Sequence, residues 1–149
     1  MAIHLFFTQV TENRPKQSLG QNFLSDQNYV EKIVNVLEDH SAQGIRVIEI
    51  GPGAGALTRV MHKKYPKMTA IEIDQRAIRF LKEKIPDLSC IHTDVLTVDW
   101  HALADERGGK LNILGNLPYY ITSQVLFSLA DHHSAIDTAV VTMQLEVDH

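Results

Sequence analysis

At 149 residues and 16.8 kDa the chain has room for one domain, because single domains peak near roughly 100 to 150 residues. Hydrophobic residues at 44%, charged residues at 21% and a mean hydropathy of −0.10 supply a buried core and exclude wholesale disorder. With 14 Lys and Arg against 18 Asp and Glu, the net charge is −4, so a nucleic-acid partner must be held by a local patch or by residues outside this chain.

The opening Met1-Ala2-Ile3-His4-Leu5-Phe6-Phe7 lacks a basic start and a small-residue cleavage site, and no apolar run approaches the ~20 residues needed to cross a bilayer. A soluble, unsecreted chain is expected. Residues 1–28 are rich in Gln, Asn, Ser and Thr and carry Arg14-Pro15-Lys16; they read as an irregular arm, neither strand nor long helix. Asp26 is placed to cap a helix from about Asn28 to Leu37, where Val30, Ile33, Val34 and Leu37 make one apolar stripe. From residue 45 the pattern becomes regular. Residues 45–50 predict a strand, residues 51–53 a glycine turn, and residues 55–64 a helix stopped by Pro66. Residues 68–73 predict a second strand and residues 75–84 a helix closed by Pro86. Residues 89–92 predict a short third strand with Cys90 as a small buried residue. Residues 111–114, 123–130 and 138–143 complete the series as strand, helix and strand. This alternation implies a doubly wound, mostly parallel sheet with right-handed crossovers. With the last strand ending at Met143, nothing further is available to cover that side of the sheet.

In such a sheet, ligands bind outside the carboxyl ends of the strands, where strand order reverses. Four polar clusters fall there: Glu49-Ile50-Gly51-Pro52-Gly53, Glu72-Ile73-Asp74, Asp94, and Gly115-Asn116-Leu117-Pro118-Tyr119. Gly51, Gly53 and Ala56 satisfy the loose pattern G-x-G-x-x-G/A, and Glu72 sits where an acid that grips ribose hydroxyls belongs. These features leave NAD and S-adenosylmethionine both open, since each carries an adenosine whose ribose diol is a twin donor to a carboxylate. Asp94 reads either as a plain cap or as an acceptor for the 6-amino group of an adenine.

The corner Asn116-Leu117-Pro118-Tyr119 favours the second ligand. An amide beside a turn-setting proline and an aromatic offers acceptors and a stacking face to a planar amine. Accepting hydrogen bonds from the 6-amino group of adenine would localise its lone pair for attack on a sulfonium methyl. The base would have to be single-stranded or flipped out. The eight His show no metal-ligand spacing, His132 and His133 are adjacent and diverge, and neither a G-x-S-x-G elbow nor a P-loop occurs, so no metal is expected. The charges from Arg76 to Lys84 read as a solvated helix face, and Trp100 and Phe127 as core.

Gly20-Gln21-Asn22-Phe23-Leu24, Glu49 to Thr58, Glu72-Ile73-Asp74, Asp94-Val95-Leu96, Gly115 to Ser123 and Gln144-Leu145-Glu146-Val147 together resemble the small-subunit ribosomal RNA adenine dimethyltransferase family, in order, from about residue 14 onward. The resemblance implies a class I S-adenosylmethionine-dependent methyltransferase fold, Rossmann-like and truncated after about the fifth strand. It implies transfer of two methyl groups onto each of two adjacent adenines of small-subunit rRNA. It divides the chain into an arm, 1–28, that contributes to the cofactor site, and the N-terminal part of the catalytic domain, 29–149. The last strands and C-terminal helical domain of the family are absent. The cofactor-binding set becomes Gln21, Asn22, Leu24, Glu49, Gly51, Gly53, Glu72, Asp94, Val95 and Asn116; the catalytic corner is Asn116, Leu117, Pro118 and Tyr119. The partner is small-subunit rRNA or a pre-ribosomal particle, the expected state a monomer, and the expected place the cytoplasm, or an organelle if a targeting segment preceded residue 1. The fragment alone is expected to bind cofactor and to methylate poorly. Rival readings are a large-subunit rRNA adenine methyltransferase, from which Leu117 and the Gly51-Pro52-Gly53 loop lean away, a family member acting as a ribosome-assembly or organellar transcription factor, and, more distantly, an NAD dehydrogenase.

Overall fold

The computed structural model describes residues 1–11 and 27–147. Six strands form one sheet in the order β1-β6-β5-β2-β3-β4, and every neighbouring pair is parallel. They are β1 (Ala2–Thr11), β2 (Val47–Ile50), β3 (Thr69–Glu72), β4 (Ser89–His92), β5 (Leu111–Pro118) and β6 (Ile136–Val147). The helices are α1 (Gln27–Val36), α2 (Ala56–Lys64), α3 (Gln75–Lys84), α4 (Trp100–Arg107) and α5 (Tyr119–Asp131).

The chain winds from β2 outward through β3 to β4, then returns to lay β5 on the other side of β2. Strand order therefore reverses between β2 and β5, the crevice where ligands bind in this architecture. Each face of the sheet has its own core, which is why β2 and β3 read as nearly unbroken apolar runs. On one face Val30, Ile33 and Val34 of α1, Leu57 and Met61 of α2 and Leu81 of α3 pack with Val47, Ala70, Leu114 and Val140. On the other, Trp100 and Leu103 of α4 and Val125 and Leu129 of α5 pack on Ile48, Ile50, Ile113, Ala139 and Val141. Trp100 is buried as expected.

Local chemistry sets the boundaries. The Asp74 side chain caps α3 by accepting from the Arg76 N–H at 2.9 Å, and Asp99 caps α4 through the Ala102 N–H at 3.0 Å. Gly108, left-handed at φ 87°, closes α4. Helix α4 has no counterpart in the sequence reading because only Trp100, Leu103 and Ala104 of its eight residues are buried, too few to show a period.

Four expectations are corrected. Residues 2–11 of the arm are a strand, which pairs with β6 from Ala2 opposite Thr138 to Thr11 opposite Val147. The edge expected to stay bare is thus covered from the amino terminus, and the sheet has six strands rather than about five. Ile3, Leu5 and Phe7 remain exposed along one side of β1, while Phe6 packs against the α1 and α2 core. Phe127 is 72% exposed, because Val125 and Leu129 take the core-facing positions two residues to either side of it on α5. Cys90 is half-buried, since β4 is the sheet's other edge. Among the described residues, no helix is long and apolar enough to cross a membrane. The Asp26 cap lies outside the described residues.

Candidate active site

The rim formed by the carboxyl ends of the strands is built around the glycine loop between β2 and α2. The Gly51 N–H donates to the Ile71 carbonyl at 2.9 Å, and the Gly55 N–H to the Pro52 carbonyl at 2.9 Å, so the loop is fastened to β3 and folded on itself. Two of its glycines are needed for opposite reasons. Gly55 sits at φ 90°, where a Cβ would stand 2.7 Å from Leu81 Cδ2, so it lets α2 pack closely over α3. Gly53 also has a positive φ, 55°, but a Cβ there would meet nothing within 4 Å. Its backbone faces open space on the rim.

Glu72, at the end of β3, is held by backbone donors. Its Oε2 accepts from the N–H groups of Ile73 at 2.9 Å and Asp74 at 3.0 Å, and its Oε1 accepts from Gly53 at 3.3 Å. The carboxylate is thereby aimed at the glycine loop before any ligand arrives. His92 of β4 braces the same corner through the Ile73 carbonyl at 2.9 Å.

Glu49 lies elsewhere. It is 1% exposed, and its Oε1 accepts from the Thr58 hydroxyl of α2 at 2.5 Å, which puts the carboxyl beneath the loop rather than on its open side. Burial pushes its pKa up to about 8; the Thr58 hydrogen bond opposes this and the charge of Glu72 adds to it. A neutral carboxyl therefore supports the loop at pH 7.

Asp94 caps the 3-10 turn Val95–Thr97, with Oδ1 accepting from the Leu96 N–H at 2.9 Å. Among the described residues no partner falls on Oδ2, so the plain capping role does not use up the carboxylate. The Val95 side chain is buried in the core, which confines any ligand contact there to backbone.

Asn116 is half-buried near the end of β5, directly across from Thr142 of β6. The Thr142 hydroxyl donates to Asn116 Oδ1 at 2.5 Å. Leu117 turns into the core. Pro118, at φ −58°, is the residue from which α5 starts, and its carbonyl accepts from the Thr122 hydroxyl at 2.9 Å. Helix α5 thus begins at Tyr119, four residues earlier than its sequence suggests, and this lifts both tyrosine rings to the surface. Tyr119 is 56% and Tyr120 71% exposed, and the rings meet edge to face with centroids 6.2 Å apart.

The structure therefore brings Gly51, Gly53, Glu72, Asp94, Asn116, Pro118 and Tyr119 to one rim and tucks Glu49, Val95 and Leu117 behind it. Gln21, Asn22 and Leu24 lie outside the described residues. Thr58 entered the sequence reading only within a longer motif, and Thr142 only as a strand residue. A lone threonine carries no local signal of a role in a site, and only the β5–β6 register identifies Thr142.

The doubly wound parallel sheet with a glycine loop and an acid at the next strand end is the fold of the S-adenosylmethionine-dependent methyltransferases. Among solved structures, a 23S rRNA methyltransferase, ErmE, superposes with a TM-score of 0.65 at 30% identity, covering 81% of this chain and 48% of that one. A dimethyladenosine transferase from Plasmodium falciparum gives 0.61 at 25%, covering 78% and 41%. The family described as ribosomal RNA adenine dimethylase matches residues 12–149, and the chain belongs to that family. A ribosomal RNA small subunit methyltransferase A of Salinibacter ruber is 48% identical over 134 residues, 90% of this chain and 45% of the relative. The protein of the same name in Chlorobaculum tepidum is 46% identical over 132 residues, 89% and 46%. The chain thus spans about half the length of the curated relatives it matches.

Proposed function

We propose that this chain forms the cofactor-binding half and the catalytic corner of an S-adenosylmethionine-dependent dimethyltransferase acting on two adjacent adenines of small-subunit rRNA. One observation carries the reading: a pre-aimed carboxylate, an open glycine backbone and an amide-proline-tyrosine corner share the single rim where the strand order reverses. The residues present fit the cofactor. Gly53 leaves room where any other residue would intrude, and Glu72 offers acceptor oxygens suited to a ribose diol. Gly51 and Gly53 would let the backbone approach the ligand, Glu72 would grip the ribose, and Asp94 Oδ2 would accept from the adenine amine. Gln21, Asn22 and Leu24 of the arm belong to the same proposed set, and Glu49 acts through the loop it supports. When bound, the cofactor supplies an electrophilic methyl group.

The rest of the chemistry belongs to the corner. Asn116 Oδ1, with the Leu117 and Pro118 backbone behind it, would accept hydrogen bonds from the target amine and favour a localised lone pair. Exposed Tyr119 would stack on the target base, which a duplex would have to release. The relatives named for the small subunit, 42% to 48% identical, favour that substrate over the large-subunit one of ErmE. With a net charge of −4, this half is not expected to grip RNA strongly, so we propose that it binds cofactor as a monomer and methylates poorly on its own. The division into an arm and a catalytic part carries over to this proposal, as does residence in the cytoplasm.

Calorimetric titration with S-adenosylmethionine and with NAD tests the reading. Saturable binding of the first and none of the second is expected, with Glu72→Ala weakening it by about 2 to 4 kcal/mol through lost charge-assisted bonds. Binding of NAD alone, or binding indifferent to Glu72, would overturn it.

A further inference from the structure

We propose that the outer face of helices α2 and α3 is the surface on which this chain holds the phosphate backbone of its RNA. The proposal rests on the proposed action on rRNA and supplies the contact surface that the rim does not provide. Residues 51–85 hold eight of the 14 Lys and Arg but only three of the 18 Asp and Glu, a local charge of +5 inside a chain of net charge −4. The acidic total therefore conceals a basic region.

Folding gathers that region on one side of the sheet. Helices α2 and α3 follow successive parallel strands and share one core, in which Leu57, Met61 and Leu81 pack together. Because Leu57, Thr58 and Met61 turn inward on α2, Arg59 and Lys63, four residues apart, line its outer side. Ile78 and Leu81 turn inward on α3 and leave Arg79 and Lys82 outside. All four cations are exposed, and none is in an ion pair among the described residues. Arg59 falls in the first turn of α2, so the basic row begins beside the glycine loop and the rim that a target base must reach.

The other face of the sheet has the opposite sign. Helices α4 and α5 expose Asp105, Glu106 and Asp131, and their single arginine, Arg107, directs its Nη1 to the Ile45 carbonyl and the Thr69 hydroxyl. A polyanion is thus drawn to one side and repelled from the other, which orients a strand before any base is recognised. Contacts of this kind set position and carry no sequence information.

The test is fluorescence anisotropy of a labelled single-stranded RNA oligonucleotide titrated with the whole 149-residue chain at several KCl concentrations. Each phosphate contact contributes about −0.7 to the slope of log K against log salt, so four give roughly −3, an affinity loss of about 50-fold between about 50 and 200 mM. The double variants Arg59→Ala/Lys63→Ala and Arg79→Ala/Lys82→Ala should each make the slope shallower by about 1.4, equally for oligonucleotides of unrelated sequence. Lys110→Ala, which removes an exposed cation beyond α2 and α3, should leave the slope unchanged. A wild-type slope near zero overturns the proposal without any variant. A Lys110→Ala effect as large as that of a double variant also overturns it, and so does a polyglutamate peptide that binds as tightly as the RNA, which would assign the face to an acidic protein.

Calorimetry with S-adenosylmethionine on the same samples separates the two layers. RNA held through the four cations by a chain that binds no cofactor would sink the methyltransferase reading and leave the basic face standing. Cofactor binding together with an RNA affinity indifferent to the four substitutions would sink the face alone.

Discussion

The two rims of this sheet use similar side chains for opposite ends. At the amino-end rim, Asp39 Oδ1 accepts from Asn112 Nδ2 at 2.8 Å, and Asp39 Oδ2 from the backbone and hydroxyl of Ser41 at 3.1 and 2.5 Å. Arg107 Nη1 donates to the Ile45 carbonyl at 3.0 Å and to Thr69 at 2.8 Å. Carboxylate, hydroxyl, guanidinium and the Asn112 amide nitrogen are engaged within the protein, and the strand starts are tied down, while Asn112 Oδ1 is buried without a hydrogen-bond partner among the described residues. At the carboxyl-end rim, Glu72 is aimed at the glycine loop by the N–H groups of Ile73, Asp74 and Gly53, and Asp94 caps its turn through Oδ1, with no partner on Oδ2 among the described residues. A closed polar network stabilises a fold, whereas an oriented but incompletely engaged one is set to bind. The rims can be told apart by asking whether a substitution moves stability or ligand affinity.

The largest effect should come from Glu49, which belongs to the open rim by position and to the closed type by burial. Its pKa of about 8, against an ordinary 4.5, means the folded state favours the neutral acid. Its contribution is complete below pH 4.5 and is lost as pH rises through 8. Wild-type stability should therefore fall across that window relative to Glu49→Gln, by on the order of 4 kcal/mol at most. Denaturant unfolding at pH 5 and pH 9 measures this, and parallel curves for the two proteins would refute it.

Next in size, Glu72→Ala should cost about 2 to 4 kcal/mol of cofactor binding and leave the unfolding midpoint nearly unchanged. Asp39→Ala should do the reverse. Stranding the Asn112 amide and the Ser41 N–H costs about 1 to 3 kcal/mol of stability, with the dissociation constant of folded protein unaltered. If Asp39→Ala weakened binding in proportion to its loss of stability, the separation of the two rims would fail. Smallest, Asp99→Ala removes the α4 cap and should lower stability by about 1 kcal/mol, visible as a modest shift of the thermal midpoint.

Legibility followed the range of the interactions responsible. Helix α3 was readable to the residue, Gln75–Lys84, since the apolar spacing of Ile78 and Leu81 and the stop at Pro86 act within one turn of their targets, although the Asp74 cap was not read. The glycine loop and Glu72 were readable for the same reason. The arm was misread because β1 has no partner nearby in sequence; it becomes a strand only against β6, more than 120 residues away. Phe127 was misread because an apolar side chain does not announce which face of α5 meets the sheet. The early start of α5 at Tyr119 was hidden by Pro118, which looks like a terminator and here stands at the helix entrance.

From the sequence alone follow the alternating parallel architecture and the residues at the carboxyl-end strand tips, because strand runs and glycine turns are written in neighbouring residues. Tertiary structure alone decided that Glu49 lies under the loop as a neutral acid, that Asp94 Oδ2 has no partner among the described residues, that β1 pairs with β6 and that Thr142 faces Asn116. Each of these depends on burial or on register between distant strands, and both are set only when the whole chain has packed.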